Sequence, residues 1–176
     1  MLTESHQNYF ELLGLPQKYS IDSAVLDQNY RRLQSEVHPD RFASAPSTER
    51  LRSMQLATEA NEAYRTLKNP TARARYLLHL QGMEVNEESN TIMPAEFLML
   101  QMEWRESIED AKAEHDVAAL EKLLKKAQQE ARHLQDSLGS LLDNVDLTEA
   151  AGTVRKLSFI DKICSDIGQD IIRLED

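Results

Sequence analysis

The residues best suited to recognition chemistry are His38, Pro39 and Asp40. An imidazole and a carboxylate flank a proline, which fixes its own φ and restricts the residue before it. The two side chains therefore sit on a stiff turn and can meet a partner's donors and acceptors. Arg31, Arg32 and Arg41 add positive charge nearby, which would speed association with an acidic partner. The tripeptide alone is equally compatible with an ordinary helix-ending turn, because short motifs recur by chance. An enzymatic acid–base pair is the other reading. No glycine-rich phosphate loop or H-x-x-x-H spacing supports it, and His6, His79, His115 and His133 are scattered.

The elements around this turn are helical. Tyr9-Phe10-Glu11-Leu12-Leu13 reads as a short helix stopped by Gly14 and Pro16. Asp22 or Ser23 offers a cap for the next helix. Leu26, Tyr30, Leu33 and Val37 form its apolar stripe, and Pro39 predicts its end near His38. A polar stretch at 44–48 precedes a third helix, whose stripe is expected to be Leu51, Met54, Ala57, Ala60, Tyr64 and Leu67. Asn69-Pro70 ends that helix, and a fourth, shorter one runs through Arg73-Ala74-Arg75-Tyr76-Leu77-Leu78. The composition agrees: glycine and proline number five each, and good helix formers dominate.

Beyond a polar, aperiodic segment ending at Met93, Pro94 starts a helix over about 94–113. At 100° per residue, Phe97, Leu100, Trp104, Ile108 and Ala111 fall within about 80° of arc and form its core face. Leu98, Met99 and Met102 point the other way, among Glu103, Glu106 and Asp110. Val117, Leu120, Leu124, Ala127, Ala131, Leu134, Leu138 and Leu141 form a heptad-like seam. The last helix carries Val154, Leu157, Ile160, Cys164, Ile167, Ile171 and Leu174 as its stripe, with Phe159 about 110° away from it. Apolar side chains set among carboxylates opposite a complete core stripe read as a partner surface with a preference for a basic protein. The competing reading is that this patch packs against the N-terminal helices or a second copy of the chain.

The predicted fold is all-α, in two domains. Residues 1–81 form an antiparallel helical hairpin with short flanking helices, 82–93 a linker, and 94–176 a three-helix bundle. Charge is divided unevenly, with net +1 over residues 1–80 and −11 over residues 81–176. The acidic half argues against a nucleic-acid footprint. One cysteine, Cys164, excludes an internal disulfide and a multi-cysteine zinc site. No run looks like a signal peptide or a membrane span, so a soluble cytoplasmic protein is expected.

Taken together, His38-Pro39-Asp40 between two helices, Asn61-Glu62-Ala63-Tyr64-Arg65-Thr66-Leu67, Asn69-Pro70 and Arg73 resemble a J domain. Tyr9-Phe10-Glu11-Leu12-Leu13-Gly14-Leu15-Pro16, His38-Pro39-Asp40-Arg41-Phe42, Arg73-Ala74-Arg75-Tyr76-Leu77-Leu78 and Thr153-Val154-Arg155-Lys156-Leu157 are similar to the HscB family, the J-proteins of iron–sulfur cluster assembly. Generic J domains usually continue past this tyrosine with an aspartate, where Leu77-Leu78 stand here. The resemblance implies a non-enzymatic co-chaperone. Its N-terminal domain would engage the DnaK-type chaperone HscA and stimulate its ATP hydrolysis. Its C-terminal domain would hold the scaffold protein IscU and deliver it to that chaperone, aiding maturation of iron–sulfur proteins.

The family's chaperone contacts map onto His38, Pro39 and Asp40, and more loosely onto Arg31 and Arg32; Arg41 joins them by proximity. Its scaffold contacts map onto Leu98, Met99, Met102, Glu103, Glu106, Asp110 and Phe159. Met102 and Asp110 depart in type, where the family often has leucine and glutamate, and that puts affinity in question more than identity. The cysteine-rich zinc segment of some relatives has no counterpart here, so neither metal nor cofactor is expected. The 117–141 seam alone would also suit a structural coiled coil, which predicts an oligomer where the bundle predicts a monomer. A J-protein serving a different client is a further alternative. The co-chaperone reading predicts no ATP turnover by the purified protein alone; robust steady-state hydrolysis in a phosphate-release assay would overturn it.

Overall fold

The computed structural model describes residues 7–85 and 93–175. Most of the predicted linker, residues 86–92, lies outside the described residues. Packing divides the chain into two units, Met1–Leu77 and Leu78–Asp176. Among the described residues there are seven α-helices, one 3-10 turn and no strand.

The first unit contains α1 (Tyr9–Leu12), α2 (Ser23–Glu36), a 3-10 turn (Pro39–Phe42), α3 (Ser47–Lys68) and most of α4 (Pro70–Leu80). Helix α1 is capped by the Asn8 side chain, which accepts from the Glu11 amide. It stops at Gly14, where φ is +63° and an added Cβ would lie 3.3 Å from Asn29 Nδ2. That amide nitrogen is in use, donating to the Leu13 carbonyl at 2.8 Å. Asp22 caps α2 by accepting from the Ala24 and Val25 amides. Phe10, Leu13, Leu26, Val37, Ala60, Ala63, Leu67 and Ala74 make the core. Tyr76 closes α4 onto α1: its ring stacks on Tyr9 at 4.6 Å and its hydroxyl accepts from the Tyr9 amide at 3.0 Å. Arg73 is buried, and burial pushes its pKa down; its guanidinium lies 5.1 Å from the Tyr19 ring centre, which partly offsets the lost hydration.

The predicted stripe of α3 is wrong at its start. Leu51 and Met54 are 58% and 57% exposed, while Ser53 between them is fully buried. The reason is geometric. Successive steps of three residues each fall short of a full turn by about 60°, so the series 51, 54, 57, 60 rotates through about half a circle. The stripe that stays straight runs through Ser53, Ala60, Ala63 and Leu67, all buried. A serine is tolerated there because its hydroxyl donates to the Val37 carbonyl at 2.6 Å.

The second unit is built from α5 (Ala95–Ala113), α6 (Val117–Asp143) and α7 (Leu147–Glu175). Pro94 stands one residue outside α5 as its cap, where the sequence placed it in the first turn. Phe97, Trp104, Ile108 and Ala111 of α5 are buried as expected, and Leu100 only in part. Along α6, Leu120, Ala127, Ala131 and Leu138 are buried, the other four seam residues are half-buried, and the helix packs against α7. On α7, Val154, Leu157, Ile160 and Ile167 are buried as predicted. Cys164 is only half-buried and Ile163 takes the interior position. The Asp170 carboxylate lies 3.5 Å from Lys112 Nζ, tying the end of α5 to α7, and 3.4 Å from Arg173 on its own helix.

Both connections in this unit end a helix on a left-handed residue, His115 at φ +55° and Val145 at φ +58°. In each, the next amide reaches back to the last turn: Asp116 N to Ala111 O and Asp146 N to Leu141 O, both 2.9 Å. The sequence located the connection at 144–146 but gave no sign that the β-branched Val145, not Asn144, would take the left-handed conformation, which costs about 1–2 kcal/mol. Val145 is 64% exposed and has little packing to lose. Val145→Gly should therefore stabilise this unit by about 1 kcal/mol after the added freedom of the unfolded chain is subtracted. Urea unfolding followed by Trp104 fluorescence, the chain's one tryptophan, reads this directly. A lowered midpoint would show that the side chain contributes packing instead.

Candidate functional site

The first candidate surface lies where α2 gives way to the loop. His38 has ψ 130°, the extended backbone that Pro39 imposes on its predecessor. Its ring then turns inward along the chain: Nδ1 accepts from the Asp40 amide at 3.3 Å and caps the 3-10 turn. With Nδ1 as acceptor, the neutral ring carries its proton on Nε2, free to donate to a partner. The Asp40 carboxylate is 91% exposed, and its 3.6 Å separation from Nδ1 is too long for a hydrogen bond. Asp40 therefore keeps its acceptor capacity for something outside the chain.

The loop is fastened on both sides. Arg41 Nη1 donates to the Ser35 carbonyl at 3.2 Å, satisfying one of the carbonyls that a helix end leaves open. Ser53 Oγ holds the Val37 carbonyl from the α3 side. Arg31, Gln34, Ser35, His38 and Arg41 line one shallow cleft. Of the predicted residues, Arg31, His38 and Arg41 are thus brought together, and Pro39 and Asp40 sit on the adjoining turn. Arg32 is exposed but does not line the cleft.

Sequence reasoning missed the polar seam that holds α2 to α3. Tyr30 and Tyr64 stack with ring centres 4.1 Å apart. The Tyr30 hydroxyl donates to Asn61 Oδ1 at 2.6 Å and accepts from Gln34 Nε2 at 3.2 Å. The Tyr64 hydroxyl and Lys68 Nζ both donate to Asp27 Oδ1, at 3.0 and 2.7 Å. The apolar stripes make Tyr30 and Tyr64 plain core positions; the polar residues one turn away from each are the signal that they are not. The Lys68 hydrogen bond, then that of Tyr64, holds the Asp27 carboxyl below its ordinary range.

The second candidate surface is the outer face of α5. Leu98, Met99 and Met102 are 40%, 62% and 70% exposed, and Glu103, Glu106 and Asp110 are exposed with them. Met99, Met102, Glu103, Glu106 and Asp110 share about 100° of arc, with Leu98 on one flank. Phe159, about 110° from the core stripe of its helix, is not exposed as that direction implies. It is half-buried, edge-on to Phe97 with ring centres 5.6 Å apart, and the Arg105 guanidinium lies 5.9 Å from its centre. Helix α5 fills the space beside a residue that a single-helix projection leaves open. Arg105 follows Leu98 by seven residues, about 20° around the helix, so Phe159 borders the Leu98 side of the patch. The structure thus brings the seven predicted residues to one side of this unit, five sharing the outer face of α5, Leu98 on its flank and Phe159 at the edge beyond it.

The DnaJ domain family matches residues 8–76, and the family described as the HSCB C-terminal oligomerisation domain matches residues 93–168. The chain is 49% identical over 174 residues to the Co-chaperone protein HscB homolog of Paraburkholderia xenovorans, covering 99% of this chain and 98% of that one. It is 51% identical over 169 residues to the corresponding protein of Cupriavidus taiwanensis, covering 96% of each. Its fold is similar to the structure of the chaperone HscB from Vibrio cholerae, with a TM-score of 0.86 and 40% identity over 96% of this chain and 99% of that one.

The stability that Asp27 contributes through Lys68 and Tyr64 should be present above its unfolded pKa of about 3.9 and lost as pH falls through its lowered folded value. An NMR titration of the Asp27 carboxyl should give a midpoint below about 3.9. A midpoint at or above that value would mean the two donors do not hold it in solution.

Proposed function

The chain belongs to the HscB family of J-domain co-chaperones, and from that premise we propose that it couples one chaperone to one client through two separate surfaces. The family implies a DnaK-type chaperone as partner. In the proposed function that chaperone is of the HscA kind. It is engaged by His38, Pro39 and Asp40 with Arg31, Arg32 and Arg41, and its ATP hydrolysis is stimulated. The client is the iron–sulfur scaffold IscU, held by Leu98, Met99, Met102, Glu103, Glu106, Asp110 and Phe159. The protein itself hydrolyses nothing and needs no metal or cofactor. We place it in the cytoplasm as a monomer; among the described residues no helix is long and apolar enough to cross a membrane.

The observation that carries this reading is the contrast between the two surfaces. One offers a free carboxylate and an Nε2 donor on a braced turn with arginines beside it. The other offers three exposed apolar side chains ringed by carboxylates. The first chemistry suits a mainly electrostatic encounter, fast and sensitive to salt. The second suits a buried apolar contact with basic residues around its rim. Methionine side chains adapt to an irregular partner.

Two variants separate the roles. Asp40→Asn should abolish stimulation of the chaperone's ATPase and leave scaffold binding unchanged. Leu98→Ala, Met99→Ala and Met102→Ala together should weaken scaffold binding by at least about tenfold, since each removes apolar contact worth of order 1 kcal/mol. That triple variant avoids Phe159, whose ring braces Phe97 and whose loss would also disturb the fold. Single-turnover ATPase measurements and calorimetry with the purified scaffold read the two effects. Persisting stimulation in the first variant, or undiminished affinity in the second, would contradict the corresponding assignment.

A further inference from the structure

We propose, resting on the chaperone reading above, that Leu51 and Met54 extend the His38-Pro39-Asp40 surface with an apolar contact to the same DnaK-type partner. These side chains are 58% and 57% exposed on the first turns of α3, and they lie three residues apart, so they adjoin on one face. Nothing in the fold of the hairpin requires them to be apolar: the interior position at this level belongs to Ser53.

Their placement ties them to the loop. Ser53, which stands between them in sequence, holds the carbonyl of Val37, the residue before His38. The 3-10 turn also packs against α3. Met54 lies about 20° around the helix from Asn61. Asn61 accepts from Tyr30, which in turn accepts from Gln34 on the wall of the loop's own cleft. Met54 therefore looks out over the side of the hairpin on which that cleft opens, and a partner seated on the loop has the α3 turn beside it.

Charge selects the occupant. Arg50 is exposed one turn before Met54 and about 40° from it around the helix, while Glu49, the acidic side chain of that first turn, points about 140° away from Met54. The rim carries the same sign as Arg31, Arg32 and Arg41, so an acidic partner suited to the loop is suited to this patch too. The α5 surface, ringed by Glu103, Glu106 and Asp110, calls for a basic partner, which a basic rim would repel.

The test uses the full chain with Leu51→Gln and Met54→Gln combined, the host's purified DnaK-type chaperone, and Asp40→Asn in parallel. Both substituted positions are exposed, so the melting temperature should hold. The double variant should need about tenfold more protein for half-maximal ATPase stimulation, from the apolar area no longer buried. Maximal stimulation should be unchanged, and scaffold binding as well. An unchanged half-maximal concentration while Asp40→Asn loses stimulation would overturn this proposal and leave the chaperone reading standing. Stimulation retained by Asp40→Asn would overturn both. Loss of scaffold binding in the double variant would assign the patch to the client. Wild-type dimers in sedimentation that the double variant dissolves would assign it to a second copy of the chain. Either result would replace the proposal.

Discussion

Helix α2 must stop immediately before the residues that are to be presented, and its last carbonyls must not be left open. Pro39 imposes the stop by holding His38 in an extended conformation. The carbonyls are then taken by two side chains from opposite directions, that of Ser35 by Arg41 and that of Val37 by Ser53. His38 uses its own Nδ1 to cap the turn that follows. What remains outward, the Asp40 carboxylate and the His38 Nε2 donor, is what a partner can read. The loop is short and exposed, yet each of its ends is anchored to a helix, so little ordering is left to be done on binding.

The same division between an occupied side and an open side governs the second unit. Helix α5 buries Phe97, Trp104, Ile108 and Ala111, and that leaves Leu98, Met99 and Met102 exposed on the other side among carboxylates. The core stripe fixes the rotation of the helix about its axis. The outer face is therefore presented in one orientation, without a loop or a pocket to shape it. The Asp170 contact to Lys112 holds the far end of α5 against α7.

Much of this was legible in the residues. Pro39, Gly14, Asp22 and Asn69-Pro70 mark their boundaries through backbone chemistry that acts locally, and each boundary stands where that chemistry puts it. The outer face of α5 was legible because a single helix projection separates two opposed stripes. The failures have different sources: a run of three-residue steps rotates around its own helix, whereas other positions depend on neighbours that a single-helix projection omits. Leu51 and Met54 continued a numerical pattern but had rotated off the core, and the interior site went to Ser53, whose hydroxyl found a carbonyl 16 residues away. Phe159 looked free until α5 was placed beside it. Val145 adopted a left-handed conformation that its side chain disfavours, because closure of the α6–α7 connection outweighs the local preference.

In the proposed function two surfaces, on different units of the chain, meet two different proteins. Backbone amide chemical shifts of the isotopically labelled protein, followed while the ATP-bound chaperone and the scaffold are added in separate titrations, test it most directly. The chaperone should move amides around residues 31–42 and 50–54 and leave those at 98–110 in place, with the scaffold doing the reverse. Perturbation of 98–110 by the chaperone, with 31–42 unmoved, would contradict it.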